Sequence, residues 1–311
     1  MEVIHRLEEI DKIQNEFPAL GLTIGNFDGV HLGHQQLLQH LKQKCTDRNL
    51  KFAVITFVPH PQKIIHAERE RYLISSYKQR RQYLEQSGVD YLIEIDFTRD
   101  FSTLSGEEFL DNYILTYPKI ESIYLGYDFA FGANKQGSFD LVKNHCKLKH
   151  IHVEIQPKFE SGGDVISSSR IRKAILTGQV EEANALLGRP LCLDGVVVKG
   201  EGRGKQIGFP TANIQILQDA IVPALGVYVT RTLYKGMTFK SVTNIGKNPT
   251  FKGNNQITIE TNIFEFDSDI YGESLHIEFL SRVRDEKRFP TVTDLVEQIK
   301  KDVEIARSYK I

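Results

Sequence analysis

Between Leu20 and Leu41 the chain passes from an apolar run to a glycine-punctuated turn and then to a helical repeat. That order dictates the local fold. Leu20-Gly-Leu-Thr-Ile24 predicts a short buried strand, Gly25-Asn-Phe-Asp-Gly29 a tight loop, and Leu37, Leu38 and Leu41 recur at the spacing of one helix face. His31 and His34 therefore stand where a helix begins, just past the carboxyl end of a strand, three residues apart and on one side. The first N–H groups of a helix lack internal partners and attract anions, so two imidazoles beside them form a phosphate cradle. Gly25 and Gly33 let a bulky polyanion approach the backbone. Taken alone, the histidine pair is also compatible with a chance surface pair or half a metal site. Against the metal stands the lack of a His-Glu-x-x-His pattern in the sequence.

The surrounding pattern extends the same architecture. Strand-like Lys51–Phe57, Tyr91–Asp96, Glu121–Tyr127 and His150–Gln156 alternate with helix-like Ser76–Gln86, Phe139–Leu148, Arg170–Leu176 and Val180–Leu187. A further helix starts at Ser105-Gly-Glu-Glu108, which fits a capping box. Alternation of this kind predicts an α/β fold, a doubly wound parallel sheet with ligands at the carboxyl ends of its strands. After Pro190 the composition changes to short Val/Ile/Thr/Phe runs separated by polar turns, which predicts an antiparallel β-barrel. One terminal helix follows, capped by Thr293, with Leu295, Val296, Ile299, Val303 and Ala306 as its apolar stripe. Two domains are expected, 1–187 and 188–311.

Bulk properties narrow the function classes. A net charge of −1 over 311 residues gives no general attraction to nucleic acid or an anionic membrane. No apolar run approaches membrane-span length, and Cys45, Cys146 and Cys192 share no close spacing, so a reduced, cytoplasmic setting is expected. The sequence does not specify an oligomeric state.

Four further segments hold polar chemistry. Thr56-Phe-Val-Pro-His-Pro61 projects His60 from a proline-stiffened loop, and Gly126-Tyr-Asp-Phe-Ala-Phe-Gly132 places Asp128 and Phe129 after a strand. A rigid turn and ordinary core aromatics explain these two segments equally well. Ile166-Ser-Ser-Ser-Arg-Ile-Arg172 sets Ser167 and Ser168 at a helix start with Arg170 and Arg172 behind, either a plain serine cap or a phosphate clamp. Gly200-Glu-Gly-Arg-Gly-Lys205 is glycine-rich and basic without being a Walker A loop, since Gln206 follows Lys205, and by itself it reads first as a flexible surface turn and second as a polyphosphate wrap. Just beyond it, Thr211 and Asn213 face one way in an extended segment, either a polar turn or two oxygens for Mg²⁺.

Gly25-Asn-Phe-Asp-Gly-Val-His-Leu-Gly-His34 resembles the signature of His-x-Gly-His nucleotidyltransferases, in particular the first module of bifunctional bacterial riboflavin kinase/FAD synthetases. Gly208-Phe-Pro-Thr-Ala-Asn213 resembles the riboflavin kinase signature, and Asn244–Phe251, Glu260–Phe264, Tyr271-Gly and Arg284–Phe289 follow in the family's order. The resemblance implies FMN adenylylation in the first domain and riboflavin phosphorylation in the second, with ATP as co-substrate, Mg²⁺ as cofactor, and riboflavin and FMN as the other ligands. It assigns ATP to Gly25, Asn26, Phe27, Asp28, His31, Gly33, His34, Ser167, Ser168 and Arg172 in the first half. In the second it assigns ATP to Gly200, Gly202, Arg203, Gly204, Lys205 and Thr211, and the metal to Thr211 and Asn213. Flavin would meet His60, Pro61, Asp128, Phe129, Arg284 and Phe289. His31, His34 and Arg172 would assist adenylyl transfer, and Glu260 would be the kinase base.

Overall fold

A computed structural model describes residues 1–5, 19–68, 71–115, 119–127, 129, 131–132, 137–147, 149–156, 160–161, 164–200, 202–216, 219–249 and 255–310. Asp128, Ala130, Lys135, Leu148, Glu201 and Phe251 lie outside them. Contacts divide the chain into two compact units, Met1–Glu70 with Tyr77–Ser167, and Arg71–Ser76 with Ser168–Ile311.

The first unit holds strands β1 (Glu2–Ile4), β2 (Leu20–Ile24), β3 (Lys51–Val58), β4 (Tyr91–Asp96), β5 (Ile120–Leu125) and β6 (His152–Ile155) in one sheet of order β1-β4-β3-β2-β5-β6. Every pairing in it is parallel. A small antiparallel pair, β7 (Glu160–Ser161) and β8 (Asp164–Val165), completes the unit. The central strands are buried on both faces, as a doubly covered parallel sheet requires. On one face Leu38 and Leu41 of the helix Leu32–Asp47 and Leu84 of the helix Tyr77–Gln86 pack on Phe52, Val54 and Leu92. On the other, Phe109, Leu110, Ile114 and Val142 pack on Leu22, Ile55, Ile93 and Ile123. From β2 the chain runs outward through β3 and β4 on one side, whereas β5 and β6 lie on the other. The order therefore reverses between β2 and β5, and such a switch point opens a crevice at the strands' carboxyl ends.

In the second unit β9 (Leu191–Val198), β10 (Ala212–Ile216), β11 (Gly226–Tyr234), β12 (Met237–Pro249), β13 (Asn255–Ile263) and β14 (Ser274–Asp285) close a barrel of order β10-β13-β12-β11-β14-β9. All its pairings are antiparallel, and closure leaves no open strand edge. Fully buried Thr230, Thr232, Ser241, Thr243 and Thr261 satisfy one another through a hydroxyl ladder, with Thr230 to Ser241 and to Thr243 at 2.8 Å and Thr243 to Thr261 at 2.9 Å. The terminal helix Val292–Ser308 lays Val303 and Ala306 over Val227, Val229 and Val242. The helices Ser168–Leu176 and Val180–Leu187 belong to this unit by contact.

Local signals translate directly. Ser105 accepts from the Glu108 N–H at 3.1 Å while Glu108 accepts from the Ser105 N–H at 2.8 Å, the reciprocal capping box. Gly188 ends its helix at φ +72°. The terminal helix is capped two residues earlier than expected, because the Thr291 hydroxyl, and not that of Thr293, accepts the Asp294 N–H at 3.1 Å. Likewise the second serine helix starts at Ser168 itself, so Ser168 is its first residue and does not cap Arg170. β1 and the short helix Pro61–Ile65 had no sequence signal strong enough to register.

Candidate active sites

The chain leaves β2 through a loop that holds three left-handed residues, Phe27 at φ +47°, Gly29 at +78° and Val30 at +35°. For Phe and Val such angles cost on the order of 1–3 kcal/mol each, so surrounding contacts must hold them. Arg80, only 2% exposed, supplies those contacts. Its guanidinium donates to the carbonyls of Asn26 and Phe57 at 3.2 Å and to Glu94 at 3.3 Å. Thr56 donates a second bond to the Asn26 carbonyl at 3.2 Å. Burial lowers the Arg80 pKa from its usual value, against the opposing pull of Glu94, Tyr77 and Asp28. The buried Asp28 carboxylate thus belongs to the charge set that keeps Arg80 ionised.

His31 is the N-cap of the helix Leu32–Asp47, and its Nδ1 accepts the His34 N–H at 3.3 Å. An accepting Nδ1 places the ring proton on Nε2, so the cap leaves His31 with an Nε2–H donor. The two rings stack at 3.6 Å and 16°, and the edge of Phe27 meets His34 at 5.1 Å. A Cβ on Gly33 would meet the His31 ring at 3.3 Å, and one on Gly25 the Phe27 ring at 3.0 Å. Both glycines therefore sit beneath the aromatic groups that line the cradle.

His60 repeats this arrangement. It caps the helix Pro61–Ile65, its Nδ1 accepts the Gln62 N–H at 3.1 Å, and Pro61 occupies the first turn where no N–H is needed. Its own N–H donates to the Tyr77 hydroxyl at 2.8 Å. Phe129 packs against Phe131 at 5.0 Å within a larger aromatic cluster that includes Phe109 and Phe101. Asp128, assigned to flavin by resemblance, lies outside the described residues. A cavity of about 560 Å³ opens beside β4, lined by Glu94, Asp96, Thr98, Phe101 and Tyr113, and includes none of the cradle residues.

Ser167 closes the first unit by contact, whereas Ser168 and Arg172 fall in the second. Arg172 is 9% exposed, donates from Nε to the Tyr72 carbonyl at 3.0 Å, and lies 3.8 Å over the Tyr72 ring.

In the barrel, Asn213 stands directly opposite Glu260 on β10 and β13, and Ala212 opposite Thr261. Side chains alternate along a strand, so Asn213 and Glu260 share one face while Thr261 turns inward to the hydroxyl ladder. They line a cavity of about 750 Å³ with Thr211, Thr258 and the glycine loop residues Gly200, Gly202, Arg203 and Gly204. A Cβ on Gly200 would fall 2.1 Å from the Asn213 amide, and one on Gly204 2.4 Å from the Phe209 carbonyl. Gly200 and Gly204 thus need to be glycine because their backbone packs directly on polar groups, whereas Gly202 takes a left-handed φ of +70° in open space. Lys205 lines a neighbouring cavity of about 380 Å³ with Thr211, Phe266 and Tyr271. Arg284 and Phe289 line neither cavity. The Arg284 guanidinium instead grips buried Asp302 with two parallel bonds of 3.0 and 2.7 Å, and lies 5.7 Å over Phe289.

One positioning residue escaped sequence reasoning. Arg80 is four residues before buried Leu84 and so on its face, a usable sign in an otherwise charged helix. Asn262, the polar neighbour of Glu260, donates to the Pro210 carbonyl at 2.6 Å and fixes the segment that presents Thr211.

The two halves of the chain match two family models. The FAD synthetase family model matches residues 14–170 and the riboflavin kinase model residues 187–310. A bifunctional riboflavin kinase/FMN adenylyltransferase of Bacillus subtilis is 36% identical over 99% of this chain and 98% of its own. One from Escherichia coli K12 is 34% identical over 99% and 98%. A solved Streptococcus pneumoniae structure named as a macrolide-efflux protein is 35% identical with a TM-score of 0.87, covering all of both chains. That name is the other protein's own; among the described residues here no helix is long and apolar enough to cross a membrane. With both models matched in sequence order and relatives similar from end to end, this chain belongs to the bifunctional riboflavin kinase/FMN adenylyltransferase family.

Proposed function

We propose that the chain phosphorylates riboflavin to FMN in its barrel and adenylylates FMN to FAD at the His31–His34 cradle. The observation that carries the first step is the cross-strand pairing of Asn213 with Glu260 at the rim of a glycine-lined cavity. The terminal ribityl hydroxyl gives its proton to Glu260 as its oxygen attacks the γ-phosphorus of ATP, and ADP leaves. Backbone N–H groups of the Gly200–Gly204 loop and the Arg203 guanidinium take up phosphate charge. Lys205, in the adjoining cavity, is assigned to the same nucleotide. Thr211 and Asn213 bring a hydroxyl and an amide oxygen to the same cavity as the Glu260 carboxylate, a hard-oxygen set suited to Mg²⁺. When bound there, Mg²⁺ would supply charge neutralisation at the ATP phosphates.

For the second step an FMN phosphate oxygen attacks the α-phosphorus of ATP and pyrophosphate leaves, without a covalent enzyme intermediate. The His31 Nε2–H, the His34 ring and the first free N–H groups of their helix stabilise charge on the phosphates. Ser167, Ser168 and Arg172 are assigned to ATP phosphates, and His60, Pro61, Asp128 and Phe129 to the flavin of this step. Arg284 and Phe289 are assigned to riboflavin in the kinase step. The functional boundary is placed between residues 187 and 188, supported by family models that end at 170 and begin at 187. A cytoplasmic setting is part of the same reading, supported by three cysteines that are all free and buried.

Purified protein with riboflavin, ATP and Mg²⁺ tests the proposal. FMN and FAD should both accumulate, with ADP and pyrophosphate. FMN alone would remove the cradle's role, and neither product would leave a flavin binder without turnover.

A further inference from the structure

A second polar cluster lies on the barrel, apart from the residues that line its two cavities. β9 and β14 run antiparallel with His276 opposite Asp194 and Glu278 opposite Cys192. Residues two apart on a strand face one way, so the four side chains form a two-by-two array on one surface. Cys192 Sγ lies 2.8 Å from His276 Nε2 and 3.0 Å from Nδ1, and His276 Nδ1 lies 2.6 Å from Asp194 Oδ1. One donor atom from each of Cys192, Asp194 and His276 falls within 4.8 Å of the other two. Glu278 gives one oxygen to Arg231 and holds the other 3.9 Å from His276 Nε2, outside the compact group of three. The Ser76 hydroxyl stands 3.5 Å behind Asp194, within reach to orient its second oxygen.

We propose that Cys192, Asp194 and His276 bind a borderline-soft divalent transition-metal ion of the zinc type, with water completing the tetrahedron. Thiolate, imidazole and carboxylate are the ligand set such ions take, and three protein ligands leave one position open. One thiolate and one carboxylate offset a charge of +2. A divalent cation takes the place of the Cys192 thiol proton. The thiol S–H breaks, the proton goes to solvent, and the sulfur's electron pair makes the metal bond while hydration waters leave. The same three residue types also make a nucleophilic triad. Here, however, the thiol is 6% exposed and both ring nitrogens stand almost equally close to it, so no single nitrogen is placed as its base.

The test uses the full chain, reduced and stripped of metal by chelator, titrated with Co²⁺ in the absence of nucleotide. Cobalt should produce a thiolate-to-metal charge-transfer band in the near ultraviolet that saturates at one ion per chain, and Zn²⁺ should bleach it. Cobalt at an oxygen-only Mg²⁺ site gives no such band, so this readout is independent of the kinase and adenylyltransferase proposals. Cys192→Ala should abolish the band, and His276→Ala and Asp194→Asn should each weaken binding roughly 10-fold or more. Circular dichroism and FMN formation check that each variant is folded. No charge-transfer band in the wild type overturns the proposal. So does a band of undiminished intensity in Cys192→Ala, which would put the ion on Cys45 or Cys146, and so does unchanged affinity in both His276→Ala and Asp194→Asn.

Discussion

Replacing Gly204 by alanine probes the kinase loop at its tightest point. The added Cβ would lie 2.4 Å from the Phe209 carbonyl oxygen and 3.2 Å from the Thr211 hydroxyl, where ordinary contact begins at 3.4 Å. The shortfall is 3.4 − 2.4 = 1.0 Å, and it falls on backbone, which has no rotamer to relieve it. Opening the turn would also stretch the 2.8 Å bond from the Phe209 N–H to the Gly204 carbonyl. Thr211, two residues on, is therefore displaced by a large part of that ångström. Misplacing a positioning group by about 1 Å costs about 100-fold in rate, or about 2.7 kcal/mol of barrier. Gly202→Ala is the matched control: nothing lies within 4 Å of its Cβ, and its φ of +70° adds local backbone strain without pushing Thr211. Initial rates of FMN formation from riboflavin measure the effect, and FAD formation from supplied FMN in the same preparation reports that the rest of the chain is intact. If Gly204→Ala kept kcat/KM for riboflavin within about threefold of wild type, the inference that the loop packs directly on the Thr211 segment would be refuted.

Glu260→Gln should lower FMN formation by roughly 100- to 10,000-fold, the usual worth of a general base, while FAD formation from supplied FMN survives; equal loss of both activities would contradict two separate sites. His31→Ala combined with His34→Ala should do the reverse, abolishing FAD output and sparing FMN output, and normal FAD output would disprove the cradle. Arg80→Leu breaks a buried ion pair and removes the donors to Asn26 and Phe57. Arg81 still holds Glu94, so the loss belongs at the low end for such pairs, about 3 kcal/mol. Calorimetry should then show the first unit's Tm lowered by on the order of 6–12 °C, and an unchanged Tm would mean that the loop holds itself.

The features legible in the sequence were those written in neighbouring residues. The capping box at Ser105–Glu108, the stop at Gly188 and the strand-loop-helix around His31 each depend on spacings of four residues or fewer, and the structure builds them all. Histidine chemistry was legible in kind but not in detail: the sequence marks His31 and His60, whereas only the folded backbone shows both accepting through Nδ1 from a helix N–H. What depends on pairing across the barrel was hidden. Asn213 and Glu260 are far apart along the chain and face each other only because β10 closes on β13. Arg80 was hidden for another reason. Tyr77-Lys-Gln-Arg-Arg-Gln-Tyr83 looks like a solvated surface, and one arginine of an adjacent pair is buried while the next is partly exposed. Arg284 is marked by its motif, whereas its two parallel bonds to Asp302, eighteen residues on, appear only in the folded chain.

The buried threonines and serine of the barrel have a consequence for catalytic alignment. Hydrophobic side chains tolerate sliding past one another, but a hydroxyl stranded in a dry interior does not. Thr243 meets Thr261, and Thr230 meets Ser241, only when β11, β12 and β13 are in the observed alignment. A one-residue slip of β13 would swing Thr261 outward, away from the hydroxyl of Thr243, and carry Glu260 into the interior in its place. The polar interior thereby sets which way the Glu260 carboxylate points, and it does so from the opposite side of the strand.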